Sequence, residues 1–354
     1  MRPPVRVAIQ IFALKQIFVS HSRLRILNMH LHKFVVASSL VLGTALVTAA
    51  PVASGTVKEI YRFPNATRIE NVHRTRGGKL LLNTFDSGRI FIIDPSAPNP
   101  EAYLLAEIPT VDQITGIDEV APNVFAVSGG VGHPEIPFSF VEGSALVATV
   151  EIDPYNVKAP IVEVVARAPD ALLLNGLAAL PHAPNTVLSI DSVGGRIFRT
   201  NIKTGDIDVA FQDDLFTYGP DPQLIPLGGN GIVYQKGYLY FTNTEEQLFG
   251  RVKITAKGDR AGEIEEIFRL PEGNFGIFDD FDLSKKGVAY ITTHWDSLTA
   301  VTPDGESTVL IGPDTHDVKL ESPTSAVLSK DEKTLYIVTG GLDGAGGQVV
   351  SLRL

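Results

Sequence analysis

The chain has 354 residues, a formal net charge of −10 and 44% hydrophobic side chains. That is enough apolar material for one large core. The acidic balance, with Lys and Arg scattered beyond the N-terminus, excludes the basic patch that a nucleic acid or an anionic membrane requires. With no cysteine, disulfides, thiolate catalysis and cysteine-ligated zinc or iron–sulfur centres are excluded as well.

Residues 1–28 (with Arg2, Arg6, Lys15, Arg23 and Arg25) are read as an upstream extension, explained by translation starting at Met29 rather than Met1. From Met29 the chain has a short basic region, an apolar run from Phe34 to Val47, and Val47-Thr48-Ala49-Ala50-Pro51. This is the pattern of a signal peptide over 29–49 cleaved after Ala49. The run is too short to span a bilayer comfortably, so a secreted protein with no membrane span after cleavage is expected. Asn65-Ala66-Thr67 supplies a glycosylation sequon at Asn65.

From residue 50 onward one pattern recurs six times: a polar residue and a small or polar one, an apolar run, a turn, then further β-rich strands separated by turns. The copies open at Glu70-Asn71-Val72, Thr115-Gly116-Ile117, Asn175-Gly176-Leu177, Asn230-Gly231-Ile232, Asp279-Asp280-Phe281 and Thr324-Ser325-Ala326, with spacings of 45, 60, 55, 49 and 45 residues. Periods of that size fit four-stranded blades. Second strands are expected at 79–85, 123–128, 186–191, 238–243, 288–293 and 334–339, where Val, Ile, Leu, Tyr and Phe concentrate. The last copy has only three strands, and 56–63 is a spare strand ahead of the first. The expected fold is all-β: a six-bladed β-propeller over 50–354, closed by an N-terminal strand pairing into the last blade.

In such a ring the first strand of each blade lies nearest the axis. The leading residues Glu70, Thr115, Asn175, Asn230, Asp279 and Thr324 are therefore expected around one pocket on the face where those strands begin. Glu70, Asn175, Asn230 and Asp279 offer hard oxygen donors suited to Ca, Mg, Mn or, less typically, Zn, with Asp279 or Asp280 as a base. Without metal they suit hydrogen bonding to a polar ligand. Phe138, Phe140, Phe216, Tyr218, Phe275, Phe278 and Trp295 are expected on the rim, and the 129–143 insert as a lid. An apolar rim suits a hydrophobic small molecule better than a sugar. His133 and His294 are the candidate acid/base histidines on that face. There is no Gly-x-Ser-x-Gly, phosphate loop or His-Glu-x-x-His.

These openings resemble those of the gluconolactonase/senescence-marker-protein propellers. The resemblance implies Glu70, Asn230 and Asp279 as metal ligands and Asn175 on the substrate side. Glu70-Asn71-Val72 and Asp279-Asp280-Phe281 carry bulk where those lactonases keep glycine. Ile69-Glu70-Asn71, the Asn-Gly-Leu and Asn-Gly-Ile openings and Asp-Asp-Phe are more similar to propellers of fungal natural-product clusters, some of them hetero-Diels–Alderases. That resemblance implies a cyclase joining a quinone-methide-type tropolone to a terpene. Glu70, Asn175, Asn230 and Asp279 or Asp280 would bind the oxygenated partner, and Thr115, Thr324, His133, Phe138, Phe275, His294 and Trp295 would line the pocket. The cyclase requires no cofactor. A metal-dependent lactonase using Glu70, Asn230 and Asp279, and a non-catalytic ligand-binding propeller, are the alternatives. A monomer or weak homo-oligomer is expected.

Overall fold

A computed structural model describes residues 55–153 and 159–354; the extension and the signal peptide lie outside them. Six antiparallel four-stranded sheets follow one another, numbered here as blades 1 to 6. Their inner strands are Ile69–Arg74, Gln113–Ala121, Leu174–Ala179, Gly229–Gln235, Ile277–Leu283 and Pro323–Leu328. We call the face on which they begin the upper face. Among the described residues the one helical turn is Asp214–Phe216, and no helix is long and apolar enough to cross a membrane.

The ring closes as the repeat pattern requires. Val57–Arg62 pairs antiparallel with Gln348–Arg353 and completes blade 6. Arg62 divides its guanidinium between Glu59 of the same strand and Glu321 in the loop before blade 6, each at 2.8 Å. Both free edges of the array are removed in this way.

Apolar side chains fill the wedges between blades. Leu81 and Ile90 of blade 1 meet Phe125 and Val127 of blade 2, and the other wedges are built alike. Short polar side chains on second strands tie four of the six wedges at the axis. Asn83 donates to the Ile114 carbonyl, Ser128 to that of Asn175, Thr242 to that of Asp279 and Thr292 to that of Thr324. These bonds satisfy inner-strand carbonyls that the ladder leaves over.

All six inner strands shift register at or beside the leading residue. Such bulges re-aim a side chain. The glycines after Thr115, Asn175 and Asn230 serve close approach rather than turns. A Cβ on Gly116 would come within 2.6 Å of the Asn175 carbonyl oxygen, and one on Gly176 within 2.6 Å of the Asn230 carbonyl oxygen. On Gly231 it would collide with Asp280.

Two strands lie outside the sequence expectation: Ile207–Gln212, outermost in blade 3, and Ser297–Val301, third in blade 5. Three expected rim aromatics, Phe140, Phe216 and Phe278, are core residues. Phe216 is buried edge-on against Phe241 at 4.9 Å, and Phe278 is buried beside Phe268.

Candidate active site

The leading residues meet in a ring, in two layers. Glu70, Asn230 and Asp279 belong to the upper layer, and Asn175 is buried at the matching opening of blade 3, where its carbonyl accepts from the Ser128 hydroxyl. Asn230 donates its amide N–H to the Thr244 hydroxyl at 3.0 Å, and that hydroxyl donates to the Phe278 carbonyl. Glu70 and Asp279 sense each other electrostatically. Burial holds the Glu70 carboxyl well above the ordinary carboxylate range, and Asp279 pushes it further up against the opposing Arg68 cation. Asn175, Asn230 and Asp279 are almost wholly buried, and Glu70 is half-buried.

The expectation for Thr115 and Thr324 is corrected. Both are buried, and their hydroxyls are spent between blades. Thr115 donates to the Leu174 carbonyl at 2.6 Å and Thr324 to the Ile69 carbonyl at 3.1 Å. They hold the ring together rather than face a ligand.

Asp280 is also displaced from its expected place in the upper layer. Its carboxylate accepts the Phe281 N–H at 2.7 Å and the Asn71 amide N–H at 2.5 Å. Asn71 in turn donates to the Thr115 carbonyl and accepts from the Ser325 hydroxyl. Asn71, Asp280 and Ser325, with Gly231 packed against Asp280, form the polar lower layer. Burial raises Asp280 to about 7, although the Phe281 and Asn71 bonds pull it down.

Below this layer a cavity of about 420 Å³ opens toward the opposite face, lined by His73, Asp118, Asp282 and Val327 among others. The expected pocket was on the upper face, yet this void lies beneath the ring. Its carboxylates are structural. Asp118 accepts the Ala179 N–H from blade 3, and Asp282 the Leu328 N–H from blade 6, both at 2.7 Å. His73 sits edge-on to Phe125 and 3.5 Å from Asp118.

Of the two candidate histidines, the ring recruits His294. Its Nε2 lies 2.7 Å from Asp279 Oδ2, and its Nδ1 lies 2.9 Å from the Ser322 hydroxyl. Trp295 flanks it edge-on at 5.9 Å. His133 is corrected to a turn-forming role: its Nδ1 accepts the backbone N–H groups of Glu135 and Ile136 within the insert.

The insert folds onto the upper face. Phe140 is buried in one cluster with Leu173, Ile225, Leu227 and Ile277, and Phe138 and Leu224 pack against it. This apolar roof draws on blades 2 to 5. Phe275 is 61% exposed at its edge.

The ligand set that the resemblance implies consists of two carboxyl groups, Glu70 and Asp279, and one amide, Asn230. Asp279 is engaged by His294 and Asn230 by Thr244, and no group of three or more His, Asp or Glu side chains suited to a metal occurs among the described residues. Sequence reasoning missed Arg68, Asn71 and Ser322. Asn71 stands inside the opening Glu70-Asn71-Val72, where only Glu70 was given a role, and Arg68 stands two residues before Glu70, so a wider window on the first opening would have included it. Ser322 has no local signal, because its partner comes from the neighbouring blade.

No family model matches the chain. A candidate hetero-Diels–Alderase from Sarocladium schorii is 27% identical over 320 residues, covering 80% of this chain and 77% of that protein. A second, from a Phoma species, is 26% identical over 311 residues, covering 80% and 86%. Among solved structures, a calcium-binding regucalcin from Agrobacterium tumefaciens superposes with a TM-score of 0.57 at 12% identity, covering 84% of this chain and 95% of that one. At that identity the likeness concerns the fold alone.

Proposed function

We propose that the chain is a secretory-pathway cyclase of secondary metabolism, acting as a hetero-Diels–Alderase on an oxygenated heterodiene and a terpene alkene. The observation that carries this reading is the similarity, over 80% of the chain, to two candidate enzymes of that kind. The upper layer offers chemistry that suits it. Burial and the neighbouring Asp279 both favour the protonated form of the Glu70 carboxyl, the form in which it donates a hydrogen bond. Donation to the heterodiene oxygen lowers the barrier as charge develops there, and one well-placed donor is worth about 10²–10³ in rate. Asn175 and Asn230 add amide groups, and Phe138 and Leu224, only partly buried where they pack against the Phe140 cluster, provide an apolar surface for the terpene. Holding both partners in near-attack geometry supplies the rest.

The leader read at 29–49 gives the secretory assignment, and Asn65, exposed on the loop after the closing strand, is the glycosylation site that goes with it. The test is to incubate purified protein with a tropolonic quinone-methide precursor and humulene, following adduct formation against a protein-free control. We expect faster formation and one dominant stereoisomer. A rate and isomer distribution equal to the control would refute the proposal.

A further inference from the structure

We propose a second activity at the edge of the same ring: Ser322 is an acyl-accepting nucleophile, activated by His294 and Asp279, that hydrolyses small carboxylic esters of apolar alcohols. This inference does not rest on the cyclase reading. It rests on an uninterrupted hydrogen-bonded line from the Ser322 hydroxyl through both imidazole nitrogens to a carboxylate, at 2.9 Å and 2.7 Å. A nucleophile, a base within reach of it, and a third group orienting the base are the recurring parts of covalent acyl transfer, and they are recognised by geometry rather than by sequence order. With Asp279 accepting from Nε2–H, Nδ1 carries the lone pair that takes the serine proton.

The backbone supports the assignment. Ser322 has φ of +60°, in the left-handed region that residues with a Cβ seldom occupy. It is fixed there from both sides: its N–H donates to the Trp295 carbonyl at 2.9 Å, and its carbonyl accepts from Gly340 at 2.8 Å. Strained conformations held in this way concentrate at functional sites. Ser322, His294 and Asp279 are mostly buried without being sealed; the side chains of His294 and Asp279 remain 14% and 11% exposed. A positive charge stands nearby. A Cβ placed on Gly340 would meet the Ser322 carbonyl oxygen at 3.7 Å and Arg68 Nε at 3.8 Å, which puts the guanidinium on the Ser322 side of the ring. Arg68 is the group to stabilise the oxyanion.

The chemistry balances with water as the only co-reactant. The Ser322 oxygen bonds to the ester carbonyl carbon while its proton passes to His294 Nδ1. The ester C–O bond breaks, and the alcohol leaves with that proton. Water, deprotonated by the same nitrogen, then attacks the acyl-serine, releasing the acid and restoring the hydroxyl. The apolar roof favours an apolar alcohol component.

The test is labelling of the folded full chain with a fluorophosphonate probe, with peptide mapping, alongside hydrolysis of p-nitrophenyl butyrate. We expect one label per chain on Ser322, and a loss of both signals by at least about 100-fold in Ser322→Gly and His294→Gln. Glycine tolerates the positive φ, so Ser322→Gly keeps the test valid where alanine strains the loop. Thermal unfolding of each variant controls for folding. Wild-type labelling no greater than that of Ser322→Gly, or a label mapped elsewhere, would overturn the proposal. Failure here leaves the cycloaddition assay untouched, and the reverse also holds.

Discussion

His294 Nε2 and Asp279 Oδ2 are 2.7 Å apart, which bonds the last residue of a second strand to the third residue of the inner strand beside it in blade 5. The same imidazole reaches Ser322, just ahead of the inner strand of blade 6. Two blade openings are thereby fixed relative to one another on the upper face, by side chains able to move protons.

Asp279→Asn should test that arrangement. The amide preserves shape but offers His294 an N–H or a weaker acceptor, so the ring loses its fixed tautomer. We expect initial rates of adduct formation to fall about 10²–10³-fold, with the melting midpoint within about 3 °C of wild type, because a near-isosteric change there leaves the packing intact. An unchanged rate would remove Asp279 from the site.

Stability should depend on pH in a direction set by the buried carboxyls of blade 5. Asp280 and Asp282 are raised by burial to about 7 and about 6, against about 3.9 in an unfolded chain. Between roughly pH 4 and pH 7 the folded state therefore holds more protons than the unfolded one. Unfolding free energy falls as pH rises through that window, and the raised Glu70 carboxyl acts in the same direction. The melting midpoint should be higher at pH 5 than at pH 8, and Asp280→Asn should remove part of the difference, with Asp282 and Glu70 carrying the rest. A midpoint that climbs from pH 5 to pH 8 would contradict this.

The insert should matter more to activity than to folding. A Cβ on Gly130 would strike the Phe140 ring, so Gly130→Ala should push the aromatic out of the roof. We expect a cost of about 1–3 kcal/mol by urea unfolding, the usual range for overpacking, together with a larger proportional loss of stereoselectivity in adduct analysis.

Closure by the first strand should be indispensable. Removing the chain through Arg62 exposes Gln348–Arg353 as an open edge and strips Glu321 of its partner. A loss of about 5 kcal/mol lowers the midpoint by about 10 °C in a chain of this size. Size-exclusion chromatography should also show aggregates from the unpaired edge.

The sequence made the ring legible because each blade repeats one polar opening before an apolar run, so Glu70, Asn175, Asn230 and Asp279 declare their register without reference to any partner. Ser297–Val301 was hidden because only two residues separate it from the preceding strand at His294, so the two read as one segment. The rim was harder. Phe216 and Phe278 lie in segments that reach the upper face, as Phe275 does, but wedge packing rather than chain position decides which ring turns inward. Thr115 and Thr324 occupy leading positions as expected, yet neighbouring carbonyls claim their hydroxyls, and a demand of that kind arises only once the blades are side by side. The Ser322–His294 bond belongs to the same class.

The most direct measurement is a crystal structure of the protein with its cycloadduct. We expect the adduct on the upper face, with its oxygen within about 3 Å of Glu70 or Asp279 and its hydrocarbon portion against Phe138 and Leu224. An adduct seated instead in the cavity beneath Asp280, between His73 and Asp282, would contradict the assignment of the ring as the site of reaction.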